Sequence, residues 1–310
     1  MPMKVVALAG GVGGAKLADG LAQALPPEDL TVIVNTGDDF NHYGLRICPD
    51  LDTVCYTLAG LANPETGWGR EGETWNALEN LNRLGGPGWF RLGDRDLATH
   101  LERTRRLAAG ETLSQVTAAF CAAWGVGPRV LPMTDDDVPT IVRTDEGELP
   151  FQEYFVARQC APRVSGFHFR GAAQATPAPG VLETLAAADA IIFCPSNPWV
   201  SIDPILNIPG VWDAMKGRAV VAVSPIVGGQ ALKGPAAKMY AELGTEPSAV
   251  AVAKHYRGLL TGFVLDTIDA GLVSLLDMPT LVADTIMQNR GHRLRLAQEV
   301  LEFAAGRVPQ

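Results

Sequence analysis

Four glycines and a lysine, Gly10, Gly11, Gly13, Gly14 and Lys16, fall within seven residues directly after the apolar run Lys4–Ala9. Beyond them Ala15–Leu25 has helix composition and stops before Pro26 and Pro27. The order is strand, glycine turn, helix. Glycine lets the backbone approach a ligand closely, and the amides at a helix start carry partial positive charge, so this stretch suits an anion such as phosphate. The Lys16 ammonium is placed to reach the same anion. A dinucleotide fingerprint would need glycine where Lys16 stands, and a Walker loop would need Ser or Thr where Leu17 stands. A turn that only packs a helix on a sheet would need fewer glycines, so phosphate binding is the expectation.

Carboxylates supply the second chemistry. The strand Leu30–Asn35 runs into Asp38 and Asp39, and Asp50 and Asp52 follow in the segment PDLDT at the start of a helix expected over Leu51–Leu61. One acid there is explained as a helix cap. Four exceed that need, and they gather at the carboxyl end of the strand beside the glycine turn, where open α/β sheets bind ligands. Oxygen donors of this kind suit magnesium. Asp50 is the first choice for catalysis, with Asp38 and Asp52 as further metal ligands.

Other residues have two readings. Arg91 follows Trp89 and Phe90 in a segment ending RLGDRD, which fits a pocket wall for a flat ligand and equally a solvated helix start. Ser196 and Asn197 end one apolar run and Gly228 and Gly229 another, at the rim expected to face the glycine turn. The histidines have no metal-ligand spacing, and no nucleophile elbow is present, which argues against a covalent protein intermediate.

Those residues need a scaffold, and the 310-residue chain is long enough for a large α/β domain with an insertion. Short apolar runs alternate with helical segments, which predicts a doubly wound, mostly parallel, Rossmann-like sheet covered on both faces. Residues 63–175 break the rhythm and read as an inserted, largely helical subdomain over the cleft. A net charge of −9 argues against nucleic acid as partner. Five scattered cysteines read as reduced thiols, and Met1–Lys4 leads straight into a strand with no long apolar run anywhere. A cytoplasmic protein without membrane span is expected.

Taken together, GGVGGAKLADGL, NTGDDF, LRICPDLDTVCYTLAG, FRLGDRDLATHL, LPMTDD, PSNPWVSIDPILNIPG and VVAVSPIVGG resemble the 2-phospho-L-lactate transferase family of coenzyme F420 biosynthesis. The resemblance implies transfer of a phospho-three-carbon acid from a guanosine-diphosphate-linked donor to the deazaflavin Fo, with release of GMP. It places Gly10–Gly14, Lys16, Ser196, Asn197, Gly228 and Gly229 on the nucleotide, and Asp50 and Arg91 on the deazaflavin. It also implies a homodimer. Phospholactate, phosphoenolpyruvate and phosphoglycerate remain open as the acid. The related gluconeogenesis-factor proteins, regulators that bind a nucleotide sugar, share the glycine opening and are the alternative.

Overall fold

The computed structural model describes residues 3–308, so Met1 and Pro2 of the expected lead-in lie outside the described residues. Strand β1 (Val5–Ala9) passes almost directly into helix α1 (Gly11–Ala24), followed by β2 (Leu30–Val34). A hairpin of β3 (Phe40–His42) and β4 (Leu45–Ile47) leads to α2 (Pro49–Leu58). Helices α3 (Asn76–Arg83), α4 (Asp94–Ala108) and α5 (Leu113–Ala123) precede β5 (Arg129–Pro132). Strands β6 (Thr140–Thr144), β7 (Gly147–Pro150) and β8 (Val164–Phe169) form a separate antiparallel sheet.

Alternation resumes with α6 (Val181–Ala187), β9 (Ala190–Phe193), α7 (Asp203–Leu206), α8 (Val211–Ala214) and β10 (Ala219–Val223). A short hairpin, β11 (Ile226–Val227) and β12 (Gln230–Ala231), is followed by α9 (Ala236–Glu242) and α10 (Ala249–His255). The last elements are β13 (Gly262–Asp266), β14 (Thr280–Ala283) and α11 (Arg290–Ala305).

Seven strands form one parallel sheet in the order β14-β13-β10-β9-β1-β2-β5. The fold is the doubly wound α/β arrangement expected. Side chains alternate along β1. Val6 and Leu8 join a core with α6, α8 and α10, while Val5, Ala7 and Ala9 join another with α1, α2, α5 and α11. Both faces are therefore covered, which explains why the strands read as continuous apolar runs rather than alternating ones. Each fully buried Val, Leu or Ile contributes roughly 1.5–3 kcal/mol to this arrangement.

The segment 63–175 differs from expectation. It is not one helical insertion, because β5 returns to the central sheet and pairs in parallel with β2, with Val32 opposite Val130 and Ile33 opposite Leu131. Helices α3–α5 are thus part of the crossover between two neighbouring strands, and the β6–β8 sheet is a second addition. Among the described residues no helix is long and apolar enough to cross a membrane.

Candidate active site

From β1 the chain builds outward through β2 to β5, then crosses back to β9 and builds the other half. Strands β1 and β9 therefore flank the switch point, where diverging loops leave a crevice beyond the carboxyl ends. A cavity of about 690 Å³ lies there, lined by Gly10, Gly11, Gly13, Lys16, Ser196 and Asn197 among others. Asp38, Asp50, Asp52, Trp89, Phe90 and Arg91 line the same cavity.

The glycines belong to the helix rather than to a loop before it. Gly10 is the cap of α1, and Gly11, at φ +63°, is its first residue. That backbone conformation favours glycine. A Cβ at Gly10 would strike Asp50 and Ser201, one at Gly13 the Pro195 carbonyl, and one at Gly14 the Ser196 hydroxyl. Close packing against the loop after β9 thus explains three of the four glycines, contrary to the expectation that they exceed what packing needs. The Ser196 hydroxyl clamps this contact, donating to Gly10 O at 2.8 Å and accepting from Gly10 N at 3.3 Å. Asn197 accepts from Trp199 N at 3.1 Å and donates to Met239 Sδ at 3.3 Å.

Three expected nucleotide contacts lie off the cavity wall. Gly14 faces Ala9 and Ser196. Gly228 and Gly229, at φ +57° and +76°, make the tight turn of the β11–β12 hairpin, and Gly228 N is already bonded to the Asp269 carboxylate at 3.0 Å. Positive φ at both turn residues is what a two-residue hairpin requires.

The acids separate into two groups. Asp50 Oδ1 accepts from Gly11 N at 2.7 Å, and its Oδ2 accepts from Asn35 Nδ2 at 2.9 Å. Burial pushes the Asp50 pKa up to about 6, against the downward pull of those two bonds. Asp38 sits beside it, bonded to Gln152 Nε2 at 3.0 Å and to the same Asn35 amide at 3.4 Å. Burial first, then the Asp50 charge, raise Asp38 well above the carboxylate range. No lysine or arginine pairs with either among the described residues.

Asp52 points elsewhere. Both its oxygens are held by the buried Arg103 guanidinium, and His100, Asp96 and Tyr56 extend the network. Asp52, Asp96 and His100 are close enough to share a cation, but Arg103 already supplies the positive charge. Asp52 is thus held in an ion pair with Arg103 while it also lines the cavity. The buried Asp39 carboxylate has no hydrogen-bond partner among the described residues and lies 3.5 Å from Arg46. Burial pushes its pKa up to about 7.

Trp89 and Phe90 pack with Phe40 and His42 from the β3–β4 hairpin into one aromatic wall. The Arg91 guanidinium lies over Trp75, 4.3 Å from the ring centre. Within RLGDRD, Asp94 is structural, bonding to Asn76 N and Ala77 N at the start of α3, while Asp96 lines the cavity. Asn35 and Gln152 were not singled out from sequence. Asn35 had a signal, standing where a dinucleotide fold ends its second strand in an acid. Gln152 had none, being brought in by the helical turn that directly follows β7.

Comparison with known proteins shows the family. Residues 5–293 match the family described as 2-phospho-L-lactate transferase CofD. A phosphoenolpyruvate transferase of Streptomyces griseus is 49% identical over 97% of this chain and 98% of its own. The protein of that name from Mycolicibacterium smegmatis is 44% identical over 85% of this chain and 88% of its own. A crystal structure of a UPF0052-family protein from Bacillus halodurans shares the fold, with a TM-score of 0.65 at 15% identity, covering 97% of this chain and 99% of that one. The chain is a transferase and belongs to the 2-phospho-L-lactate transferase CofD family.

Proposed function

We propose that the chain acts in coenzyme F420 biosynthesis, transferring a phospho-three-carbon acid from a guanylyl diphosphate donor to the ribityl hydroxyl of Fo. Phosphoenolpyruvate is the acid we favour, because relatives carrying that name are 44–49% identical over most of the chain. One observation carries the reading. The α1 start with Lys16, the Asp38–Asp50 pair and the aromatic wall of Trp89 and Phe90 line a single cavity. A regulator holding one nucleotide sugar would need only the first of these.

In this reading the Fo hydroxyl oxygen attacks the phosphorus that bears the acid. The bond from that phosphorus to the bridging oxygen breaks, GMP leaves with the electron pair, and a phosphodiester forms. The hydroxyl proton passes to the Asp50 carboxylate. Burial holds the Asp50 pKa at about 6 before any cation binds, so the carboxylate is ionised at neutral pH, and a magnesium ion beside it would lower that value. Positioning and charge neutralisation supply most of the remaining catalysis in such transfers.

Asp38 and Asp50 fit a magnesium ion. Two buried carboxylates share one amide and neither pairs with a lysine or arginine among the described residues, a costly arrangement that a divalent ion would relieve. Magnesium held there would neutralise diphosphate oxygens. The test mixes purified protein, magnesium and Fo with each of the three guanylyl donors. GMP should appear one-for-one with a more anionic deazaflavin, fastest with the phosphoenolpyruvate donor, and EDTA should stop both. Tight binding of a nucleotide sugar with no turnover of any donor would replace this reading with the regulatory one.

A further inference from the structure

Of the six lysines, Lys4, Lys216 and Lys238 pair with Asp29, Asp213 and Glu242. Lys16, Lys233 and Lys254 meet no carboxylate within ion-pair distance among the described residues. Lys16 and Lys233 line the cavity, whereas Lys254 does not. Each cavity lysine donates to a neutral carbonyl, Lys16 Nζ to Met287 O at 2.8 Å and Lys233 Nζ to Thr66 O at 2.7 Å. Their charges also act on one another. Burial lowers the Lys16 pKa most, and the Arg293 and Lys233 charges lower it further.

The surroundings of Lys233 tie it to the α1 start. Thr66 belongs to a loop drawn tightly over that start, because a Cβ on Gly67 would lie 2.6 Å from Val12 Cγ1 and 3.2 Å from Lys233 Nζ. Lys233 itself follows β12, whose direction the Gly228–Gly229 turn sets. Two ammonium groups without carboxylate partners line one cavity and repel each other, a repulsion that a bound anion would relieve. A carbonyl is a weaker acceptor than a phosphate oxygen for an ammonium donor.

We propose that Lys233 is a second cationic ligand for the donor's diphosphate, alongside Lys16, and that it leaves the Thr66 carbonyl for a phosphate oxygen when the donor binds. The assignment of the diphosphate rests on the transferase reading. Lys16 is fixed on the helix that leaves β1, whereas Lys233 lies in the irregular segment just after β12, so the second charge is the movable one.

The experiment compares wild type with Lys233→Gln and Lys233→Arg in steady-state kinetics, varying donor and Fo separately. Titration calorimetry with inorganic pyrophosphate and with GDP gives a readout that needs no turnover. Lys233→Gln should raise the donor KM and weaken both anions about tenfold, the scale of one hydrogen bond to a charged group. The KM for Fo should stay within about twofold of wild type, since Lys233→Gln removes a charge rather than a ring contact. Lys233→Arg should recover most of the affinity. Unchanged anion binding in Lys233→Gln overturns the proposal. So does an equal loss for donor and Fo with a lowered melting temperature, which would make the Thr66 contact purely structural. Should wild type bind both anions but turn over no donor, the transferase reading falls while the pyrophosphate comparison still decides Lys233.

Discussion

Asp50 Oδ1 accepts a 2.7 Å hydrogen bond from the backbone amide of Gly11, so a side chain from α2 supplies the anion at the start of α1. The positive end of a helix attracts a carboxylate as readily as a phosphate. In the proposed reaction an incoming diphosphate would therefore meet a protein carboxylate at the place where phosphate was expected. Two anions there need added positive charge. The Asp38–Asp50 pair offers the ligands for a cation, and Lys16 lies on the same cavity.

Asp50→Asn tests the catalytic assignment. The amide oxygen can still accept from Gly11 N, but the amide nitrogen replaces the oxygen that accepts from Asn35 Nδ2, so the melting temperature should fall by the few degrees that about 1–3 kcal/mol represents, with the fold retained. Turnover should fall about 10²- to 10⁴-fold, the usual value of a general base. GDP should still protect against heating. In wild type the acidic limb of kcat/KM should fall below about 6, the value Asp50 has before a cation binds, and the variant's residual rate should lack that limb. Near wild-type turnover would move the base to another residue.

Asp39 predicts a pH dependence of stability. Its folded pKa, pushed up to about 7 chiefly by burial, exceeds that of an unfolded aspartate. Between the ordinary carboxylate range and about 7 the folded chain holds a proton that the unfolded chain has lost. Its contribution is therefore fully present at low pH and disappears as pH rises through about 7. Urea unfolding at pH 5 and pH 8 should show Asp39→Asn gaining stability relative to wild type at the higher pH only.

Gly13→Ala should be harmful because the methyl group meets the Pro195 carbonyl, a backbone atom that cannot rotate away. A loss of about 1–3 kcal/mol is expected from such overpacking. Gly14→Ala meets the rotatable Ser196 hydroxyl, though also Ala9, and should cost less. Chemical denaturation ranks the two, and equal losses would contradict the packing account.

Arg103→Met strands Asp52 in the interior without its cation. Breaking a buried pair on one side costs about 3–5 kcal/mol. The double variant Asp52→Asn with Arg103→Met should be more stable than Arg103→Met alone. A single variant that unfolds at wild-type denaturant concentration would show that Asp52 finds another partner.

Much of the scaffold was legible from local pattern. Uninterrupted runs such as Val5–Ala9 and Ala219–Val223 sit between helical segments, and only a strand buried on both faces tolerates that composition. The helices Asn76–Arg83, Asp94–Ala108 and Leu113–Ala123 were equally visible, but their destination was not. Four residues, Arg129–Pro132, carry too little pattern to show that they rejoin the central sheet beside β2.

The sequence by itself determined the strand–glycine–helix opening, the acids that follow β2, and through their order the family. Those properties are local, fixed by residue type and spacing along the chain. Tertiary structure alone decided which acid does what. Asp50 and Asp52 are two residues apart on one helix, yet Asp50 faces the Gly11 amide and Asn35 while Asp52 faces Arg103. On a helix that spacing turns side chains by about 200°, so neighbours in sequence look into different environments. Which environment holds a counter-charge depends on Arg103, more than fifty positions away, and no local pattern reports that.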